Sequence, residues 1–334
     1  MSAPLPEDRS TLGRAKARLG RHVQWAREGG IGRLIEEDNL DPRTRAKAAL
    51  ARRAWVKANP VVPGGARAVF VVGVQRSGTN MLTSGLDAMP EVEVHNENDK
   101  KVFERFQLKS HQVVLDTVVA SRHQVVLFKP ICDSHDTDKL LDLFGGAANP
   151  ARALWAYRAV DDRVRSAVTK FGDVNQQVMA RIAKEGIRDG DIRGPREVPE
   201  RSEDSSWGGW QTGGMTPEVL EAVRSCDPAS LDANSGAALF WWARNSLYFT
   251  TGLDTRADVM PVSYDQVVAD PRGTLERVCR FAGLPYRPEV SAHVDSRAAA
   301  RGHKAPLDLD PRVRTLTDEL GARLDAAAAD FQVS

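Results

Sequence analysis

Cysteine is scarce in this chain. The three present, Cys132, Cys226 and Cys279, form an odd, scattered set with no C-x-x-C spacing. Such a set argues against a disulfide framework and leads us to expect reduced, packed thiols in a cytoplasmic protein. An excess of charge of either sign is also missing: 46 Lys and Arg against 45 Asp and Glu leave a net +1. No bulk field therefore recruits nucleic acid or an anionic membrane, and any anion site has to be local. No uninterrupted apolar run approaches the roughly 18 residues of a membrane span. The opening Met1-Ser-Ala-Pro-Leu-Pro has neither a basic n-region nor an apolar h-region, so no signal peptide is expected there. No internal repeat is visible. What remains is an ordinary globular balance, 42% hydrophobic and 27% charged, long enough to bury one large core with extensions.

Residues 9–58 are rich in Arg, Ala and Leu, with apolar residues at helical spacing. Asp41 followed by Pro42 makes a good N-cap and N1 pair. We expect residues 1–63 to be a helical extension packing on the core, with Pro60 and Pro63-Gly-Gly65 as the linker. From Ala66 onward strands and helices alternate, predicting an α/β three-layer sandwich with a central parallel sheet. Strands are expected at Val69–Val72, Glu91–His95, Gln124–Phe128, Ala153–Tyr157 and Val259–Ser263, the last placed on an edge by Pro261. Helices are expected at 79–88, about 100–120, 136–144, 161–171 and 271–282. Asp270, Pro271 and Gly283 bracket the last of these. The stretch 172–235 has little periodicity and many Gly, Pro and Ser residues, and is read as a lid or insert on the acceptor side.

The most informative segment runs from Val69 to Met89. An apolar β-branched run ends in Gly73-Val-Gln-Arg-Ser-Gly78, and Thr79-Asn80 opens a helix. A strand, a tight loop and a helix N-terminus gather free backbone N–H groups and the positive dipole end at one point. From Gly73 to Gly78 the spacing is that of the phosphate loop G-x-x-x-x-G-K-[ST]. The lysine is missing, however, and Arg76 sits inside the loop, which points away from ATP hydrolysis. A second anion signal is Arg158-Ala-Val-Asp-Asp-Arg-Val-Arg-Ser166. There a strand ends at Arg158 and a helix begins near Asp161, at the sheet edge where ligands of open α/β folds gather. Two phosphate sites on one edge imply a nucleotide phosphorylated at two places.

These residues resemble the nucleotide-sulfate-dependent sulfotransferases, closest in motif pattern to tyrosylprotein and carbohydrate-type members. Val74 to Asn80 looks like their 5′-phosphosulfate loop, and Arg158 with Ser166 is similar to their 3′-phosphate pair. Tyr264-Asp-Gln-Val-Val-Ala-Asp-Pro271, with Phe281-Ala-Gly-Leu-Pro285 after the next helix, is similar to a late segment of the family. The resemblance covers roughly residues 66–286, most weakly 172–235. It implies 3′-phosphoadenylyl sulfate as donor and adenosine 3′,5′-bisphosphate as product, with no metal required. It places Arg76 on the 5′-phosphate and the transferring sulfonate as a catalytic residue, the amides of Ser77, Gly78, Thr79 and Asn80 on the 5′-phosphate, and Arg158 and Ser166 on the 3′-phosphate.

An acceptor hydroxyl needs a base near the loop. Glu97 is the first choice, because tyrosylprotein-type members carry a glutamate at the same spacing after the loop arginine. His135, after Phe128-Lys-Pro-Ile-Cys-Asp-Ser, and His95 are the alternatives. Lys129, at a strand's carboxyl end, is a candidate for stabilising the transferred group or a plain surface lysine. Trp207 and Trp210 are lid candidates, Trp241 and Trp242 core residues, and Arg301-Gly-His-Lys304 an exposed basic turn or a late phosphate contact. The expected partner is a bulky hydroxyl acceptor: a glycan, glycolipid or secondary metabolite. A phosphate-loop small-molecule kinase and a non-catalytic nucleotide-binding module are the alternatives.

Overall fold

The computed structural model describes residues 42–187, 209–294 and 305–333. The chain divides into two units, residues 1–57 and 58–334. Helix α1 (Pro42–Ala58) ends at their junction. It starts on the expected proline and carries Lys57 in its last turn, favourable for the helix dipole. Residues 1–41 of the expected N-terminal extension lie outside the described residues, as do Trp207 and Arg301 to Lys304.

Among its described residues the second unit has seven strands: β1 (Arg67–Gly73), β2 (Val92–His95), β3 (Phe103–Glu104), β4 (Gln107–Leu108), β5 (Val125–Phe128), β6 (Arg152–Tyr157) and β7 (Val259–Ser263). Five of them form one parallel sheet in the order β2-β5-β1-β6-β7. β3 and β4 pair as a separate antiparallel hairpin. The helices are α2 (Thr79–Asp87), α3 (His111–Ala120), α4 (Thr137–Asp142), α5 (Val160–Phe171), α6 (Val174–Glu185), α7 (Pro217–Ser225), α8 (Ala233–Asn245), α9 (Leu247–Thr250), α10 (Tyr264–Ala269), α11 (Pro271–Ala282) and α12 (Pro311–Asp330).

The period of two along β1 sorts its side chains into two cores. Ala68, Phe70 and Val72 join Phe128 and Trp155 under the face covered by α3, α5, α6, α8 and α12. Val69 and Val71 join Leu127, Leu154 and Val262 under α2 and α11. A strand buried on both faces has no polar positions to spare, which is why the run Val69 to Val72 lacks the alternation of a half-exposed strand. Trp155 is fully buried and its indole N–H reaches Asn245 Oδ1 at 3.2 Å, so the ring is buried without an unpaired donor. Pro261 lies in β7 at the sheet edge, as expected. Helix α11 follows its end signals: Asp270 caps the Gly273 N–H at 2.9 Å, and Gly283 turns the chain at φ 77°.

Two expectations need correction. The helix read over about 100–120 is the β3–β4 hairpin followed by α3. Ser110, accepting from the Val113 N–H, caps α3 and sets its start. The Asp133 carboxylate holds the hairpin through the Leu108 N–H at 2.7 Å and Gln107 Nε2 at 3.2 Å. The described residues of the stretch 172–235 also include helices that its weak periodicity did not signal. It contains α6, whose Val178, Met179 and Ile182 are buried, and α7, capped by Thr216 with Pro217 at its start.

The carboxyl ends of the two central strands meet at Gly73 and Ala156, which pair in register. Gly73 has φ 121°, and a Cβ there would stand 2.2 Å from the Ala156 carbonyl oxygen. Gly73→Ala is expected to destabilise the fold by about 3 kcal/mol through overpacking and backbone strain. The measurement is the urea midpoint at unchanged m-value.

Candidate active site

The loop between β1 and α2 is shaped by two left-handed residues, Arg76 at φ 70° and Gly78 at φ 92°. Glycine adopts that region freely, whereas arginine there stores strain. The Ser134 hydroxyl holds the loop's base, accepting from the Gly73 N–H at 2.9 Å. Its own proton faces the carbonyls of Gly73 and Ile131, at 3.0 and 2.8 Å. Gly78 caps α2 with no side-chain hydrogen bond, and the first turn carries no acidic residue. The amino end of α2 thus keeps the backbone donors and positive dipole that attract an anion.

Both predicted anion sites lie at this edge. Arg76 Nε donates to Ser166 Oγ at 2.9 Å, across 90 positions of sequence. Arg158 follows β6, and its guanidinium lies 4.2 Å from the centroid of the Tyr264 ring. The same ring backs the loop: a Cβ on Gly78 would come within 2.6 Å of Tyr264 Cδ2. Tyr264 therefore spaces the loop from Arg158 and requires a glycine where it touches the loop. Its position in the late motif was visible in the sequence; this packing role was not. The Arg158 head reaches Asp162 only at 4.0 Å, and its buried Nε has no hydrogen-bond partner. Ser77 Oγ, in a residue 1% exposed, has none either. Buried polar atoms left open in this way suit a ligand that brings oxygens.

Arg163 is a site residue that the sequence reading passed over. It lies three residues before Ser166 on α5, so the two share a helix face turned to the loop. That spacing was the available signal. Arg163 is fully buried; Nε donates to the Gln75 carbonyl at 3.2 Å and one Nη to the Ala237 carbonyl at 2.8 Å. Burial, and next the charge of Arg76, push its pKa down to about 9.

Across Asn80 lies a second group. Lys129 Nζ donates to Asn80 Oδ1 at 2.6 Å and stands 3.4 Å from Glu97 Oε2. Lys129 is a buried residue rather than a surface one. Burial raises the Glu97 carboxyl above its ordinary range, against the opposing pull of Lys129. His95 is committed elsewhere: Nδ1 is 2.7 Å from Asp99 and Nε2 3.3 Å from Glu93, with the ring stacked on Phe128. His135 is buried beneath Gly213, where a Cβ would meet its ring at 2.5 Å. Of the predicted tryptophans, Trp241 is buried in the core. Trp210 packs edge-on to Phe240 under Arg244. The three cysteines are buried and reduced.

Among the described residues no group of three or more His, Cys, Asp or Glu side chains gathers as a metal site. No helix among them is long and apolar enough to cross a membrane.

No protein-family model matches the chain, and no curated protein matches it. Among solved structures it is similar to the sulfotransferase domain of the curacin biosynthetic pathway, at TM-score 0.42 and 12% identity over 77% of this chain and 98% of that one. It is similar to a sulfotransferase from Alicyclobacillus acidocaldarius, at TM-score 0.42 and 15% identity over 79% and 96% of the two chains. A Mycobacterium avium sulfotransferase matches at TM-score 0.37 and 13% identity over 97% and 98%. Identities this low transfer neither activity nor substrate.

The His95 cluster has a measurable consequence. Burial lowers the pKa of His95, but the Glu93 and Asp99 carboxylates on its two nitrogens outweigh this and hold it raised. Its contribution to stability is full below the ordinary imidazole pKa of about 6.5 and is lost as pH rises through the raised folded value. Urea midpoints measured from pH 6 to 9 should fall with pH in the wild type, and the fall should flatten in His95→Gln.

Proposed function

We propose that the chain is a sulfotransferase that moves the sulfuryl group of 3′-phosphoadenylyl sulfate to a hydroxyl of a bulky acceptor, a glycan, glycolipid or secondary metabolite. The observation that supports this reading best is the joining of the two anion sites by the Arg76–Ser166 hydrogen bond. A donor phosphorylated at two places needs two cation-bearing loops on one sheet edge, and a single triphosphate chain does not. The unpartnered Ser77 Oγ and Arg158 Nε fit phosphate oxygens.

In this reading Arg76 and the amides of Ser77, Gly78, Thr79 and Asn80 hold the 5′-phosphate, and Arg158 with Ser166 holds the 3′-phosphate. Such a donor supplies an electrophilic sulfur, whose bond to the 5′-phosphate oxygen breaks, with the electron pair leaving on that phosphate, as the acceptor oxygen bonds to sulfur. Glu97 takes the acceptor's proton. Its raised pKa makes it a stronger base than an exposed glutamate. Lys129 keeps enough Glu97 ionised to act. As Glu97 becomes neutral, the charge of Lys129 is freed for the transferred group's oxygens. The lid or insert expected on the acceptor side falls on residues 172–235, of which 188–208 lie outside the described part.

Calorimetry with adenosine 3′,5′-bisphosphate against ATP–Mg²⁺ separates this reading from the kinase alternative, with tight binding expected only for the bisphosphate. Arg158→Ala should weaken that binding about 30-fold, the loss of a charge-assisted phosphate contact worth about 2 kcal/mol. Equal affinity in the variant would remove the nucleotide assignment.

Glu97→Gln should lower turnover by about 10²–10⁴ while bisphosphate affinity is kept. The wild-type rate should rise with pH through a midpoint above the ordinary carboxylate range, because only ionised Glu97 accepts the proton. Lys129→Met should move that midpoint higher, since it removes the charge that favours ionisation. A pH–rate profile on a panel of hydroxyl acceptors reads both, and tight nucleotide binding with no transfer to any of them would favour a non-catalytic module.

A further inference from the structure

Arg163 carries a charge that nothing in the described protein neutralises. It is fully buried, its contacts are two backbone carbonyls and the Phe240 ring 5.4 Å away, and one Nη has no hydrogen-bond partner. No carboxylate among the described residues pairs with it, and the nearby charge is of the same sign, that of Arg76. A buried cation without an anion is costly, and a second cation beside it raises the cost. Proteins keep such an arrangement where a ligand supplies the missing charge. Arg163 also stands directly behind the anion loop, because its Nε holds the carbonyl of Gln75, the residue before Arg76.

We propose that Arg163 is a built-in counter-charge for a phosphate held in the β1–α2 loop. It is a positioning residue that never touches the reacting atoms, and its positive charge becomes paired only when an anion occupies the crevice. Being buried, that charge acts on the anion with little solvent screening. The carbonyl fork keeps the guanidinium from swinging out to solvent when the crevice is empty. The inference rests on the nucleotide reading only for the identity of the anion; the charge argument holds for any phosphate.

The test uses the full chain, with adenosine 3′,5′-bisphosphate and inorganic pyrophosphate as two probes in calorimetry. Unliganded melting is followed by circular dichroism. Arg163→Met should bind both probes at least about tenfold more weakly while still unfolding cooperatively. Arg163→Lys, which keeps the charge and loses the planar fork, should stay within about threefold of wild type. Rescue by lysine is the outcome that a packing role does not give.

Methionine binding within twofold of wild type, or lysine as weak as methionine, would overturn the proposal. Should the methionine variant fail to fold, the lysine variant decides alone: within threefold supports the proposal, and weaker binding than that overturns it. A wild type that binds pyrophosphate but not the bisphosphate removes the nucleotide reading and leaves Arg163 to be judged on pyrophosphate. A wild type that binds neither overturns both.

Discussion

The site depends on the parallel pairing of β1 with β6, which ends with Gly73 against Ala156. Because both strands run the same way, the loop after one and the turn after the other emerge side by side. Close approach at that point needs a residue without a Cβ, and Gly73 supplies it. Everything beyond follows from this contact: Arg76 reaches Ser166, Tyr264 fits between Gly78 and Arg158, and Arg163 comes up under Gln75. Ser134, on the segment after β5, ties the same glycine from the other side. A shift of one residue in the β1–β6 register would part the two loops and turn both core faces inside out.

The charges at this edge are distributed unevenly. On one side lie Arg76, Arg158 and Arg163, with Asp162 at 4.0 Å from Arg158. On the other, Lys129 and Glu97 pair across Asn80. In the proposed reading the first arrangement favours a bound anion, and the second sets a carboxylate beside a cation. The chain as a whole carries +1, so any attraction for a small anion has to come from local charges such as these.

Much of this was legible before the structure. The β-branched run to Val72, the two loop glycines, and the Asp270, Pro271 and Gly283 signals are local patterns, and each matches its element. Errors came where local pattern and tertiary context parted. The β3–β4 hairpin turns at Arg105 and Phe106, both at positive φ; neither residue signals a turn, and the hairpin is held by Asp133 from a distant segment. The helices α6 and α7 were hidden by the Gly, Ser and Pro of the stretch between them. His95, an alternative base, lies 2.7 Å from Asp99 and 3.3 Å from Glu93, an arrangement only the fold shows.

By itself, the sequence determined the alternation of strands and helices, the glycine-bracketed loop at the start of α2, and which residue types are available at the sheet edge. Hydrophobic period, glycine and caps act over a few residues and are therefore written locally. Only the tertiary structure decided which of those residues meet. That Arg76 touches Ser166, that Lys129 is buried against Glu97, and that Arg163 lies behind the loop with no paired carboxylate among the described residues all depend on strand order and on how closely the sheet edge packs. Those contacts join positions tens of residues apart, and the free energy of burying charge depends on the assembled surroundings rather than on any neighbour in the chain.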